Sequence, residues 1–351
     1  MTSVISRTRF SVLDRSRTRA GHEPAAALRD TVRFARQIEA LGYHRFWVSE
    51  HHSVPGVAGS APTVLAAAVA GATSTIRVGT GGVMLPNHRP LVVAEQFGVL
   101  ASLFPGRIDM GLGRSVGFTG GIRRALGVDR EGADAFADQL STLLGFLSGT
   151  QTEFPQVHAH PAEGLDIPPY VLAMGEGATV AAEAGLPLVI GDLRSRSRMV
   201  EAVGRYRDAF KPSAWSAGPE VIISGNVAVA GTAEAARRLL VPEAWSMAYS
   251  RTHGVFPPLE PAEATERRTM SDKERELFDS GLRGQLYGTP QEVSARLEDL
   301  ITATGAAEVL VTTSSYDRTA LLDSYRALAR VAGLESVQDV RGARVAAETD
   351  A

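Results

Sequence analysis

Strand-like and helix-like segments alternate along this chain, and no other feature limits its fold as tightly. Apolar, β-prone runs occupy 9–14 (RFSVLD), 45–50 (RFWVSE), 76–85, 107–113, 169–175, 187–193, 220–231 and 308–316. Helical periodicity follows each of them, at 24–42, 61–73, 91–104, 132–149, 177–186, 195–210, 290–305 and 318–333. Stop signals punctuate the helices, such as Gly42 and Pro105-Gly106, as a helix C-terminus requires. The runs Val221 to Ile223 and Val309 to Val311 are continuously apolar. Strands of that kind are buried on both faces, as in parallel sheets. Eight strand–helix repeats predict an α/β chain folded as a closed (β/α)8 TIM barrel; a doubly wound sheet is the competing architecture.

One segment breaks the rhythm. Residues 232–289, with Trp245, Tyr249, His253, Phe256 and Pro257-Pro258, lie between the seventh strand and the next helix. They read as a long irregular insertion at the C-terminal end of a strand, which is the active-site face of a barrel. A lid over the substrate is expected there, with a distal helical decoration as the alternative. The predicted organisation is one barrel domain over 1–334 carrying that insertion, and a polar, flexible tail over 335–351.

Composition narrows the function. The 351 residues carry a formal net charge of −3 and contain no cysteine. There is no basic excess to bind nucleic acid. Disulfides, cysteine-ligated zinc and thiol nucleophiles are removed together. No apolar run approaches the ~18 residues of a membrane span, and the first residues lack the apolar core of a signal peptide. A cytoplasmic protein is expected.

The second strand ends in RFWVSEHHSVPG, so Glu50, His51 and His52 fall at the catalytic rim. Three chemistries compete for them. A metal site is disfavoured because adjacent imidazoles point to opposite faces of a continuing strand, and no second His-rich motif is present. A satisfied polar cluster is the structural alternative. Proton handling or the polar lining of a cofactor is the third, since imidazole titrates near neutral pH.

Neighbouring strand ends favour a cofactor. Gly79, Gly81 and Gly82 sit inside the third strand, where glycine marks a bulge or the close approach of a flat ligand. Gly111 and Gly113 strip the fourth strand, and Arg114 follows at once. Arginine suits a phosphate through paired, charge-assisted hydrogen bonds. The fifth strand runs into Gly175-Glu176-Gly177, which opens a helix whose free N–H groups attract an anion. Together these describe a bare platform with an anion site beside it, suited to a planar, phosphorylated group.

The runs FSVLD, LGYHRFWVSEHH, IRVGTGGVMLPNHRPLVVAEQFGVLASLFPGRIDMGLGR and AAEAGLP resemble those of the bacterial luciferase-like flavin-dependent monooxygenases. The similarity covers most of 9–330, is dense over 9–120, and is greatest to the single-component branch met in actinomycete secondary metabolism. It implies an FMN cofactor used as FMNH2, supplied by a separate reductase, and O2 activated as a flavin C4a-peroxide to oxygenate a small organic molecule, plausibly a polyketide. By position it implies that His51 handles protons with Glu50 beside the flavin. Gly81-Gly82 would form a cis peptide under the ring, Gly113 would leave room near C4a, Arg114 would hold the phosphate, and Val116 would be an apolar contact. Relatives dimerise through the region of the Ala-rich 61–73 helix, so a homodimer is expected.

The pattern departs at the phosphate. Where relatives carry hydroxyl residues, this chain has Met174 and Ala178, with Glu176 close by. Neither side chain can hydrogen-bond a phosphate, and a carboxylate repels an anion at a helix N-terminus. Either Met174 and Ala178 flank the phosphate, or a local gap makes Gly175-Glu176-Gly177 the phosphate turn; both imply weak flavin binding that rests on Arg114 and backbone N–H groups. Two other functions stay open at this level: deazaflavin (F420)-dependent hydride transfer, and a non-catalytic flavin-binding subunit.

Overall fold

The computed structural model describes residues 3–173, 177–191 and 195–336. Eight parallel strands close on themselves: β1 (Arg9–Asp14), β2 (Arg45–Val48), β3 (Arg77–Thr80), β4 (Ile108–Gly113), β5 (Pro169–Ala173), β6 (Leu188–Ile190), β7 (Val221–Gly225) and β8 (Glu308–Val311). β1 pairs with both β2 and β8, and β3 pairs with β4, so no barrel edge is left open. This is the predicted (β/α)8 barrel.

Local sequence explains the helices between the strands. Proline opens the helices Pro24–Ala40, Pro62–Ala72, Pro90–Leu103 and Pro290–Thr304, where its missing N–H costs nothing. Thr289 and Glu292 close a reciprocal capping box on the last of these. Helix Arg318–Ala332 ends at Gly333 in the left-handed conformation that glycine adopts without steric cost.

Side chains alternate across each strand. One set faces the helices and joins the large outer core. The other fills the lumen with Leu13, Trp47, Tyr170, Val189, Ile222 and Leu310. Below this apolar layer lies a charged floor. The Arg45 guanidinium, 1 % exposed, donates to Asp109 and to Glu308, each at 2.9 Å. Trp47 Nε1 donates to Asp109 at 3.0 Å, and Arg77 reaches the other carboxylate oxygen at 2.6 Å. Buried charges of this kind persist only when paired and hydrogen-bonded, and these are both.

Four sequence expectations are corrected. The third strand stops at Thr80; the Gly81–Gly82 peptide is cis, and Val83–Met84 is a separate short strand on β4. The seventh stops at Gly225, and Val227–Val229 pairs outside the barrel with Leu286–Gly288. The insertion 232–289 is not irregular. It holds helices Ala233–His253, Ala262–Glu266 and Asp272–Leu282 around their own core of Leu240, Trp245, Phe278 and Leu282. The helix after β5 runs Gly177–Glu183, shorter than expected. The tail beyond residue 336 lies outside the described residues.

Candidate active site

Chain direction puts the C-terminal ends of all eight strands on one face, where barrel enzymes do their chemistry. β2 delivers Glu50, His51 and His52 there and then leaves the sheet. Glu50 is buried with a fully covered side chain. Its Oε1 accepts from His52 Nε2 at 2.6 Å and from His88 Nε2 at 2.9 Å, while Oε2 accepts from the Met84 N–H at 2.8 Å. Burial works against ionisation of Glu50. The hydrogen bond and charge of His88, the Met84 N–H and His52 outweigh it and hold the carboxyl below its ordinary range.

His51 turns the other way. Its Nδ1 meets Ser49 Oγ at 3.2 Å, and its backbone N–H donates to Gly59. Burial, reinforced by the charges of Arg15 and Arg17, pushes its pKa down to about 4. It is therefore neutral near pH 7 and can accept a proton. Glu50 and His51, adjacent in sequence, thus serve different neighbourhoods: Glu50 ties the β2 and β3 loops together, and His51 faces the rim.

Sequence reasoning missed His88 and gave His52 no role. It weighed a metal only on the adjacent pair His51-His52, which do diverge. The third partner comes from the turn after Gly81-Gly82. The ligand atoms of Glu50, His52 and His88 lie within 4.8 Å of one another, a spacing that could hold a metal ion. In this structure the carboxylate oxygens are already taken up by the two ring N–H groups and the Met84 N–H. The signal was present in NHRP at 87–90, but only folding brings it to Glu50.

The glycines divide into two kinds. A Cβ on Gly79 or Gly111 would collide with the backbone of the next strand, at Asp109 O and Thr80 O respectively. These two serve strand packing, not a ligand. A Cβ on Gly81 would meet Leu13 at 2.8 Å, and one on Gly82 would meet Gly111 O at 2.8 Å. Gly113 is different: the nearest atom to its Cβ position is Val83 O at 4.0 Å, so its side faces open space.

Just past the end of β4 lies a cavity of about 430 Å³ lined by Arg114, Ser115, Leu172, Ala173, Val189, Gly191 and Ser224. Arg114 is exposed and makes no ion pair among the described residues. Its Cδ lies 3.8 Å from the Cβ position of Gly177, so arginine and the following helix start converge. Val116 is half-buried in the same loop, and Ala178 is buried one residue into the helix. Met174, Gly175 and Glu176 lie outside the described residues. An uncommitted guanidinium beside an open glycine face fits a flat group that ends in an anion.

The rim of this barrel thus presents a glycine-lined face, an arginine and an imidazole at the end of β2. The chain belongs to the luciferase-like monooxygenase family, whose model matches residues 8–308. It is similar to the uncharacterized protein YvbT of Bacillus subtilis, 36% identical over 92% of this chain and 96% of that one. A luciferase-like monooxygenase of Escherichia coli K12 is 33% identical over 90% of this chain and 94% of its own length. Among solved structures, apo-MsnO8 superposes with a TM-score of 0.84 at 30% identity, covering 95% of this chain and 99% of that one.

Proposed function

We propose that the protein uses FMNH2, delivered by a separate reductase, to oxygenate a small organic molecule with O2. The observation that carries this is the mouth itself: an open glycine face, Arg114 with no ion pair among the described residues, and His51 occupy one rim. Arg114 would hold the flavin phosphate, with Gly177 and Ala178 at the adjoining helix start. Gly81, Gly82, Gly113 and Val116 would bound the ring. Bound there, the reduced cofactor supplies the electrons that activate O2. Glu50 fixes the turn carrying Met84 and His88, which sets the platform. His51, uncharged at working pH, accepts a proton at its ring nitrogen and returns it. A secondary metabolite such as a polyketide is the substrate class suggested by the sequence resemblance.

The insertion is proposed as a lid. Glu243 and Ser246 of helix Ala233–His253 meet Arg15 and Arg17 at the end of β1, each at 2.5 Å. Phe256 packs edge-on against Phe118 of the β4 loop with centroids 5.3 Å apart. These contacts span the rim and would exclude water from the reaction.

A homodimer is also proposed. Val92, Val99 and Leu103 repeat at helical spacing on helix Pro90–Leu103 and are exposed, as is Val64 on the neighbouring helix. Thr63 donates to Gln96 across the two helices, so the two exposed faces adjoin. Contiguous exposed apolar surface of this kind marks an interface, and a second copy of the same face satisfies it. A cytoplasmic location fits the absence of cysteine; among the described residues no helix is long and apolar enough to cross a membrane.

Anaerobic titration with photoreduced FMN, then rapid mixing with oxygenated buffer under absorbance recording, tests the reading. Binding followed by a transient spectrum unlike free reduced or oxidised flavin is expected. Tight binding of reduced deazaflavin without oxygen uptake would favour hydride transfer. Failure to bind either cofactor would favour a non-catalytic role.

A further inference from the structure

Lumen-facing residues at the rim follow the strand alternation. Two positions above Leu13, Val189, Ile222 and Leu310 come Arg15, Gly191, Ser224 and Thr312. One side of the rim carries only small side chains, and the β1 side carries a cation. Arg15 Nη2 donates to Thr312 O at 2.9 Å and pairs with Glu243. Ser16 then takes a left-handed conformation, φ 50°, which costs a non-glycine residue on the order of 1 kcal/mol or more. The turn is pinned by Asp14, which accepts from the Ser16 N–H at 3.0 Å, and by the Ser16–Thr31 hydroxyl pair at 2.9 Å. It brings a second guanidinium, Arg17, to the same corner beside His51.

Arg17 is 5 % exposed and has no carboxylate partner among the described residues. Its Nη2 donates to Ser246 Oγ and, at 3.5 Å, to Pro257 O; its Nε has no partner. Arg15 Nε and Glu243 Oε2 are likewise buried without partners. Two cations therefore face one carboxylate. A buried, unpaired cation is costly, and the Ser16 turn adds to that cost. Burial, only partly offset by Glu243 and aggravated by Arg15 and Arg19, brings Arg17 down to about 10, yet it stays charged. Phe118 and Phe256 supply an apolar wall nearby.

We propose that Arg15 and Arg17 bind the carboxylate of an organic-acid substrate, with Glu243 as the internal occupant that this carboxylate displaces from Arg15. The guanidinium forks match a carboxylate's two oxygens. Seated there, the acid group lies beside His51 and fixes which part of the substrate is presented to the flavin face. Glu243 stands on the insertion, so displacement couples substrate recognition to the lid. This rests on the reading of the mouth as the flavin and substrate site.

The test is calorimetric titration of the full-length, flavin-free protein with octanoate and with octanamide, which share shape and differ in charge. Octanoate should bind about tenfold or more tighter. Arg17→Gln should abolish the preference. Glu243→Gln should tighten octanoate several-fold by removing the competitor. Equal binding of the two probes, no binding of either, or a preference that survives in Arg17→Gln overturns the proposal. Should Arg17→Gln fail to fold by circular dichroism, Glu243→Gln decides: unchanged or weaker octanoate binding overturns it. Because no flavin is present, failure here leaves the FMNH2 reading standing. An intact octanoate preference without FMNH2 binding would instead sink the FMNH2 reading.

Discussion

Glu50 and His88 lie 38 positions apart in sequence and meet at 2.9 Å in the structure. Their contact, with His52 on the same oxygen, clamps the β2 loop to the turn after the cis peptide. The Glu50 carboxyl is held below its ordinary value of 4.5. A depressed carboxyl contributes stability above its unfolded pKa and loses it as pH falls through the folded one. Glu50→Gln should therefore lower the melting temperature at pH 7. The gap to the parent protein should close below the usual carboxylate range. Thermal melts from pH 7 to 3 check this; a gap independent of pH would mean the charge is not what holds the clamp.

His51 has the opposite proton balance. Its folded pKa is about 4, against 6.5 unfolded. Between those values the unfolded chain takes up a proton that the folded one refuses, so His51 costs stability as pH falls through that window. His51→Gln should flatten that part of the stability curve, and turnover should drop about 10²-fold. NMR titration of the imidazole should show no protonation above about pH 5.

Arg114→Gln should weaken FMN binding about 10–100-fold, the loss of one charge-assisted contact. Because Arg114 is exposed and makes no ion pair among the described residues, the melting temperature should shift by no more than about 2 °C. Oxidised FMN itself should bind the parent protein more weakly than micromolar. Fluorescence quenching of FMN measures both proteins, and a sub-micromolar constant for the parent would show that the missing hydroxyl ligands are replaced by something else.

Gly111 and Gly113 should respond oppositely to alanine. At Gly111 the new methyl meets Thr80 O, and the chain should lose about 3 kcal/mol or more, since strand backbones cannot separate cheaply. At Gly113 the methyl has open space; denaturant unfolding should change by less than about 1 kcal/mol, while FMN affinity falls. Equal destabilisation at both sites would remove the distinction between a packing and a binding glycine.

Leu103→Glu and Val64→Glu place charge on the exposed two-helix face. Sedimentation should report a dimer for the parent protein and a monomer for the double variant, with both folded by circular dichroism. A parent protein that sediments as a monomer at micromolar concentration would rule this face out as a self-interface.

The barrel was legible because its strands are short apolar runs bounded by glycine and proline, and its helices carry their own stops. What failed to show was tertiary in origin. Val227–Val229 continues the apolar run of β7 past Gly225-Asn226, so a change of sheet left no mark in the pattern. Helix Ala233–His253 contains Pro242 and buries residues on several sides, which masks its period. At the site, Glu50 and His51 were visible at a strand end. His88 reaches them only through the broken third strand. Arg15 and Arg17 carried no signal of their own in the sequence; they share a corner only once helix Ala233–His253 packs over them.

The ion pairs of Arg45 with Asp109 and Glu308 seal the barrel from below. The mouth is thus a cul-de-sac. On the proposed function, oxygen, cofactor and substrate would share one doorway, and the architecture would rank their arrival. A flat cofactor against the glycine wall would have to be seated before a substrate under the proposed lid blocked its way. Product would have to clear the entrance before spent flavin could be exchanged.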